Sequence, residues 1–183
     1  CLMKKLARLL VALTAILGVF LVTNTNVSAK KITVSYKSYA VKKVQTHKTA
    51  TSNSEWSGVT VKVDKIKVYK LAKSYKYKSS NDGTFKIKGF VRVHYVINSG
   101  DKDVSLYPTQ GTYSFNNGEQ HEADAMESWD GDISANVKKT GWVTIPARST
   151  SNLSPVRAKF DASYDTDDVD DNSFYTYDMT IDF

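Results

Sequence analysis

The stretch TFKIKGFVRVHYVIN, residues 84–98, decides the fold. From Phe85 to Ile97 every second residue is apolar or glycine, and most of the residues between them are basic, with Phe90 and Val96 as the exceptions. A period of two is typical of a β-strand that has one face in a hydrophobic core and the other in water. We therefore predict a long strand here, with a solvent face that carries basic side chains.

The segment before this strand predicts a second strand with an irregularity. Valines alternate with polar residues over residues 59–63, and the parity then shifts by one, so that Ile66 and Val68 continue the pattern. A slip of one residue within a strand indicates a β-bulge. We place this bulge near Asp64 and Lys65.

Turn motifs and shorter apolar stretches extend the pattern along the chain. Asn-Asp-Gly at residues 81–83 and Asn-Gly at residues 117–118 are turn sequences in which glycine supplies a positive φ. Further strands are predicted at residues 75–77, 112–116, 141–145, 153–160 and 174–183. No amphipathic helix longer than two turns is visible after residue 29. About seven to nine strands separated by turns predict an all-β, antiparallel β-sandwich.

The first 29 residues have the three-part layout of a secretory signal peptide. Positive charges lie between residues 4 and 8, residues 9–22 form an uncharged apolar run of 14 residues, and Val-Ser-Ala at residues 27–29 fits a cleavage site. A membrane-spanning helix needs roughly 20 apolar residues. We therefore expect cleavage after residue 29, a secreted mature chain, and no transmembrane anchor in that mature chain.

Residues 30–55 are predicted to be a polar tether rich in Lys, Ser and Thr. The stretch QTHKTATSNS at residues 45–54 is polar without periodicity, and such a composition does not offset the entropy of ordering the chain. The folded domain is expected at residues 56–183. With no cysteine after Cys1, this domain has no disulfide, thiolate metal site or cysteine nucleophile, so its stability must come from core burial.

Charge is distributed unevenly along the chain. Residues 30–92 contain 16 Lys or Arg against three acidic residues, whereas residues 93–183 contain six basic against 16 acidic residues. One interpretation is a basic surface for an anionic partner. The alternative is that the two halves lie side by side and neutralise each other in the fold.

Four segments resemble a family of exported Gram-positive (Firmicute) proteins with an immunoglobulin-like domain of unknown function. They are GVTVKV at 58–63, GFVRVHYVIN at 89–98, Asn-Gly at 117–118 and GWVTIP at 141–146. The resemblance covers about residues 56–183. It implies an immunoglobulin-like β-sandwich in the cell envelope or the medium, and it supplies no catalytic residues.

The basic strand face is the main candidate binding site, and no catalytic residue is assigned. Its lysines are Lys62, Lys65, Lys67, Lys76, Lys78, Lys86 and Lys88. Lysines on one strand face suit a polyphosphate backbone. Because the chain is expected to be exported, the predicted partner is an anionic cell-wall polymer rather than nucleic acid. We therefore predict that the chain is a non-enzymatic domain that is secreted and associated with the cell envelope.

Two alternatives remain open. The first is an extracellular module that binds a protein or a glycan through exposed aromatics such as Trp129 and Trp142. The second is a hydrolase built from loop carboxylates around His121, which has Glu122, Asp124 and Glu127 nearby in the sequence. The chain contains neither Gly-x-Ser-x-Gly nor His-Glu-x-x-His, so neither of these hydrolase motifs supports the second alternative.

No cofactor is expected, although one acidic segment is a weak calcium candidate. Its carboxylates are Asp165, Asp167, Asp168, Asp170 and Asp171. Ca²⁺ prefers oxygen ligands, but an EF-hand loop starting at Asp168 would require Gly at Ser173 and Glu at Met179. A solvated acidic loop that blocks edge pairing is the simpler interpretation.

Overall fold

The computed structural model describes residues 30–123 and 126–183 and shows an all-β chain. These residues form eleven strands and one short 3₁₀ turn, Pro108–Gln110. The strands are β1 (Lys31–Val34), β2 (Lys37–Trp56), β3 (Val59–Lys78), β4 (Thr84–Asn98), β5 (Val104–Leu106), β6 (Thr112–Phe115), β7 (Gln120–Glu122), β8 (Gly131–Ile133), β9 (Lys138–Ala147), β10 (Val156–Ser163) and β11 (Phe174–Ile181). The predicted signal peptide at residues 1–29 lies outside the described residues.

The strands form two antiparallel sheets. The long sheet has the order β1-β2-β3-β4-β9, and the short sheet has the order β7-β6-β10-β5-β8, with β11 also paired to β10. In the short sheet, β10 pairs with β6 through residues 156–159 and with β5 through residues 162–163. Strand β11 runs along the whole of β10.

The main core lies between the two sheets. The long sheet contributes alternate residues, among them Val61, Val63, Ile66, Val91, Val93, Tyr95, Val143 and Ile145. The short sheet contributes Tyr113, Val156, Ala158, Phe160, Tyr177 and Ile181. Their alternation with exposed or half-exposed neighbours gives the long sheet an outer face, directed away from the short sheet.

A hydrogen-bonded tyrosine pair links the sheets inside this core. The hydroxyl of Tyr95 on β4 lies 3.0 Å from the hydroxyl of Tyr113 on β6. The Tyr113 hydroxyl donates to the carbonyl oxygen of Pro108 at 2.9 Å. Tyr95 therefore donates to Tyr113, and both buried hydroxyls are satisfied.

The predicted long strand and the predicted bulge are both confirmed. Strand β4 covers residues 84–98, and it pairs with β3 on one side and β9 on the other. The β3–β4 register passes from Val63 opposite Tyr95 to Lys65 opposite His94. Asp64 is the extra residue, at the position where the apolar parity shifts in the sequence.

The predicted tether at residues 30–55 is wrong, because these residues form β1 and most of β2. Strand β2 pairs with β3 from Val41 opposite Leu71 to Trp56 opposite Val59. Over residues 43–55 the side chains alternate between exposed and half-buried, so neither face needs apolar residues. Its order comes from the backbone ladder with β3, which composition does not reveal. The domain boundary at residue 56 is wrong for the same reason, since Trp56 ends β2.

A second hydrophobic cluster lies at the end of the long sheet where β1 pairs with β2. It consists of Ile32, Val34, Tyr39, Val41, Leu71, Tyr77, Phe85, Ile87 and Phe90. Phe90 alternates with the core residue Val91 and therefore belongs to the outer face of β4. Its ring centroid lies 5.0 Å from that of Tyr39 on β2. This second cluster is the reason why Phe90 breaks the polar pattern in the sequence.

The all-β, antiparallel prediction is confirmed, but the strand count is not. Eleven strands occur in the described part of the chain, against about seven to nine expected. The additional ones are β2 and three-residue strands such as β7 and β8, which are too short to show periodicity. The immunoglobulin-like topology stays a prediction. Among residues 30–123 and 126–183, no helix is long and apolar enough to cross a membrane.

Candidate functional site

The outer face of the long sheet brings together basic side chains from β3 and β4 and the indole of Trp142 from β9. Cross-strand register places Lys65 beside His94 and Trp142, and Lys67 beside Arg92 and Thr144. Because side chains directly opposite each other in a sheet lie about 5 Å apart at Cβ, these residues form two adjacent rows. Lys62 continues the surface on β3, opposite Val96.

Trp142 is the centre of this surface. The Nζ atoms of Lys65 and Lys67 lie 5.9 and 4.9 Å from the centroid of its ring, and the guanidinium carbon of Arg92 lies 5.1 Å from it. The His94 ring lies 4.7 Å from the same indole. An indole face attracts cations, by about 0.5–1 kcal/mol at exposed sites. We call the surface formed by Lys62, Lys65, Lys67, Arg92 and Trp142 the Trp142 face.

Arg92 is fixed by a polar network at the edge of this face. Its Nε donates to Thr144 Oγ1 at 3.0 Å, and its Nη2 lies 3.4 Å from Glu127 Oε1. Glu127 also accepts bonds from the Thr144 backbone N–H at 2.6 Å and from the Thr144 hydroxyl at 2.7 Å. The guanidinium is therefore held in one orientation beside Trp142 and is partly neutralised by Glu127.

His94 is held by the bulge residue. Its Nδ1 lies 2.6 Å from Asp64 Oδ1, and both side chains are partly buried. The bulge that interrupts the β3 pattern therefore places an acid beside the only histidine of β4. This pair supports the ring that packs against Trp142.

The seven predicted lysines have no carboxylate partner among the described residues. Within the described residues, the lysines that form ion pairs are Lys102 and Lys159, and both belong to the acidic half of the sequence. Arg92–Glu127 is the only Lys or Arg ion pair in the described region that joins the two halves. Ion pairing therefore leaves most of the basic charge on the long sheet uncompensated.

The structure does not bring all seven lysines to one place. Lys62, Lys65 and Lys67 belong to the Trp142 face. The other four, Lys76, Lys78, Lys86 and Lys88, lie at the far end of the β3–β4 hairpin, beyond a register shift between Lys70 and Tyr75. Lys67 and Lys76 are nine residues apart, which is about 30 Å of extended strand. The predicted single face is therefore two basic regions.

His121 is buried between two carboxylates. Its side chain is 2 % exposed, Nδ1 lies 3.1 Å from Asp82 Oδ2, and Nε2 lies 3.2 Å from Glu119 Oε2. Its ring stacks on Phe85 at 4.8 Å. Asp82 comes from the β3–β4 turn, so its role was not apparent from the sequence. The three side chains tie the tip of the long sheet to the short sheet.

The carboxylates suggested for a hydrolase occupy other places. Glu122 follows His121 on β7, but its side chain is not among the carboxylates that contact the His121 ring. Glu127 binds Arg92 and Thr144 at the Trp142 face. Asp124 lies outside the described residues. The predicted grouping around His121 is therefore wrong for Glu127.

The calcium candidate does not form a cluster. No three His, Cys, Asp or Glu side chains within residues 30–123 and 126–183 are placed to hold a metal. Asp171 accepts from the Tyr164 hydroxyl at 2.6 Å and pairs with Lys102 at 3.4 Å, and these contacts lower the pKa of its carboxyl. The Lys102 ammonium lies 3.9 Å from the centroid of the Tyr164 ring. Asp171 therefore already has its own cation.

Both tryptophans proposed as exposed aromatics are half-buried, and of the two only Trp142 lies on the outer face of the long sheet. Trp129 packs against the main core, and its Nε1 donates to the carbonyl oxygen of Trp142 at 2.8 Å. The prediction for Trp129 is wrong because Gly141 leaves space for its ring against β9. The convergence on Trp142 was not predicted, since it depends on β9 pairing with β4.

Comparison with known proteins gives no family. No family model matches the chain, and no curated protein matches it significantly. The solved structures that are similar include a protein of unknown function from Listeria monocytogenes, with a TM-score of 0.45 and 11% identity over 75% of this chain and 86% of that chain. Another is a conserved hypothetical protein from Bacillus anthracis, with a TM-score of 0.42 and 8% identity over 75% and 96% of the two chains. A likeness of this degree carries no inference about function.

Proposed function

We propose that this chain is a non-enzymatic domain, secreted and associated with the cell envelope, that binds anionic wall polymers through the Trp142 face. The observation that supports this proposal most strongly is the convergence of Lys65, Lys67 and Arg92 on one indole. Neither lysine has a carboxylate partner in the described region. A polymer with regularly spaced phosphates would supply the missing anions.

The shape of the surface favours an extended ligand. Lys62, Lys65 and Lys67 follow one strand, so their ammonium groups can meet successive charges along a chain. The interaction relies on the charge of the cations held around Trp142, and not on an enclosed pocket. We therefore expect affinity to depend on charge density more than on the sequence of repeat units.

The two alternatives have less support. Binding through aromatic rings alone would use Trp129 as well, but that ring is packed against β9. Hydrolysis would need an accessible acid or base, and His121 is 2 % exposed with both ring nitrogens facing carboxylates.

Co-sedimentation with purified Gram-positive cell walls tests the proposal. The double variant Lys65→Gln, Lys67→Gln is expected to reduce wall binding at least tenfold at 50 mM salt, because each lysine beside a phosphate releases counterions. The matched control is Lys86→Gln, Lys88→Gln, which removes the same charge from the far end of the same sheet, where neither lysine has a carboxylate partner among the described residues. This control is expected to bind within about twofold of the wild type, since long-range charge effects are screened.

Thermal unfolding of each variant tests whether the fold is intact, since Lys65 and Lys67 are half-buried. Equal binding by the wild type and the Lys65, Lys67 variant would overturn the proposal. Equal binding of the protein to intact walls and to walls stripped of anionic polymer would also overturn it.

A further inference from the structure

Strands β2 and β3 separate at one end of the long sheet. Their ladder stops at Val41 opposite Leu71. Beyond that point residues 37–40 of β2 pair with β1, and residues 75–78 of β3 pair with β4. The two strands are therefore no longer neighbours in a ladder, and a groove opens between them.

We call this space, about 440 Å³ in volume, the tip groove. Its lining residues are Ser35, Lys37, Tyr39, Lys76, Tyr77, Lys78 and Thr84. None of them is acidic. Tyr39 and Tyr77 are buried and form an apolar floor, whereas the three lysines are exposed.

Contacts across the split hold the groove in shape. Lys37 Nζ donates to the carbonyl oxygen of Lys76 at 3.5 Å, and it lies 5.5 Å from the centroid of the Tyr39 ring. The backbone N–H of Ala40 donates to the Tyr75 hydroxyl at 3.2 Å. Because the Lys37 and Tyr75 side chains cross the split, an extended peptide cannot enter as an added strand without displacing them. The space suits a small ligand.

We propose that the tip groove binds the phosphate group of a small phosphorylated polyol or sugar. The three lysines that line the groove have no acidic neighbour in that lining, and ammonium groups bind phosphate as point charges in any orientation. Thr84, which carries a hydroxyl, also lines the groove. The biological ligand would be a phosphate-bearing repeat of a wall polymer, and this part of the inference rests on the proposed function.

The test is an NMR titration of the ¹⁵N-labelled protein with glycerol 3-phosphate, inorganic phosphate and glycerol. Glycerol 3-phosphate is expected to give saturable shifts of the amides of residues 37–39 and 76–78, and glycerol none. The variant Lys76→Gln, Lys78→Gln is expected to weaken binding at least tenfold. The matched control is Lys86→Gln, Lys88→Gln, which removes two lysines from the adjacent strand that do not line the groove, and it is expected to bind within about threefold of wild type.

Three results would overturn the inference. One is the absence of saturable shifts at the groove. Another is an equal loss of affinity in the two double variants, which would indicate long-range charge alone. The third is tenfold tighter binding of inorganic phosphate than of glycerol 3-phosphate, which would exclude an esterified ligand.

The experiments distinguish a failure of the proposed function from a failure of this inference. The Lys65, Lys67 variant is expected to titrate with glycerol 3-phosphate as the wild type does, because it leaves the tip groove unchanged. If wall binding is absent while glycerol 3-phosphate still titrates the groove, the proposed function is wrong and the groove assignment stands.

Discussion

At the scale of single residues, Gly141 and Trp129 explain how Trp142 is presented. A Cβ at Gly141 would overlap the ring of Trp129, so only glycine allows this ring to lie against β9. Trp129 then donates to the carbonyl oxygen of Trp142, which fixes the backbone that carries the half-buried Trp142 indole. The positions of the Trp142 and Trp129 rings therefore both depend on Gly141.

We predict that Gly141→Ala displaces Trp129 and lowers the free energy of unfolding by about 1–3 kcal/mol, the usual cost of overpacking. Denaturant unfolding followed by tryptophan fluorescence measures both effects. Thr140→Ala, an exposed neighbour on β9, is the control and is expected to change stability by less than about 0.5 kcal/mol. Unchanged fluorescence and stability in Gly141→Ala would contradict this packing.

His121 is expected to stabilise the fold. His121→Gln removes a ring that bonds both Asp82 and Glu119 and stacks on Phe85, at a cost of about 1–3 kcal/mol. Thermal unfolding tests this, with His47→Gln on the more open strand β2 as the control for loss of a histidine. A fully stable His121→Gln protein would reopen a functional role for this residue.

The tyrosine pair in the core predicts sensitivity to alkali. Burial raises the pKa of both Tyr95 and Tyr113 above the ordinary value of 10.0. The unfolded state therefore loses these protons first, so this contribution to stability is complete below pH 10 and is lost as the pH rises through the folded-state pKa. Denaturation midpoints measured from pH 8 to 11 should fall, and Tyr95→Phe should make the decline less steep. A decline of equal steepness in both proteins would contradict this assignment.

At the scale of elements, β2 shows where sequence patterns stop being informative. Strand β4 was predictable because its two faces differ, with a core on one side and water on the other. The two faces in the middle of β2 show no such contrast. The end of β2 contacts β11, where the Tyr175 hydroxyl donates to Glu55 at 3.1 Å across 120 positions of sequence. The Trp142 face was only partly predictable for the same reason. Its lysines share one strand, but Arg92 and Trp142 reach them through strand pairing.

We predict that deleting residues 30–55 prevents stable folding. The deletion exposes the β3 edge and removes Ile32, Val34, Tyr39 and Val41 from the second cluster. Buried side chains of this size contribute about 2–5 kcal/mol each, so the four together are a large fraction of the stability of a domain. Circular dichroism during heating measures this, and a truncated protein that melts within a few degrees of the full chain would restore the tether hypothesis.

At the scale of the whole molecule, the fold keeps the two signs of charge on separate sheets. The basic half of the sequence supplies β1–β4 of the long sheet, and the acidic half supplies the short sheet. Only Arg92–Glu127 joins the halves as a Lys or Arg ion pair within the described residues. The alternative that the halves neutralise each other therefore has little support from ion pairing. The charge asymmetry of the sequence is preserved as an asymmetry of the surface.

The salt dependence of binding tests the central claim most directly. Affinity for purified anionic wall polymer should be measured between 50 and 200 mM salt for the wild type and for Lys62→Gln, Lys65→Gln, Lys67→Gln. We predict that wild-type affinity falls steeply, and that the triple variant reduces the slope of log affinity against log salt by about one for each lysine in contact with a phosphate. An affinity that does not change over this range, or an equal slope in the two proteins, would contradict the account.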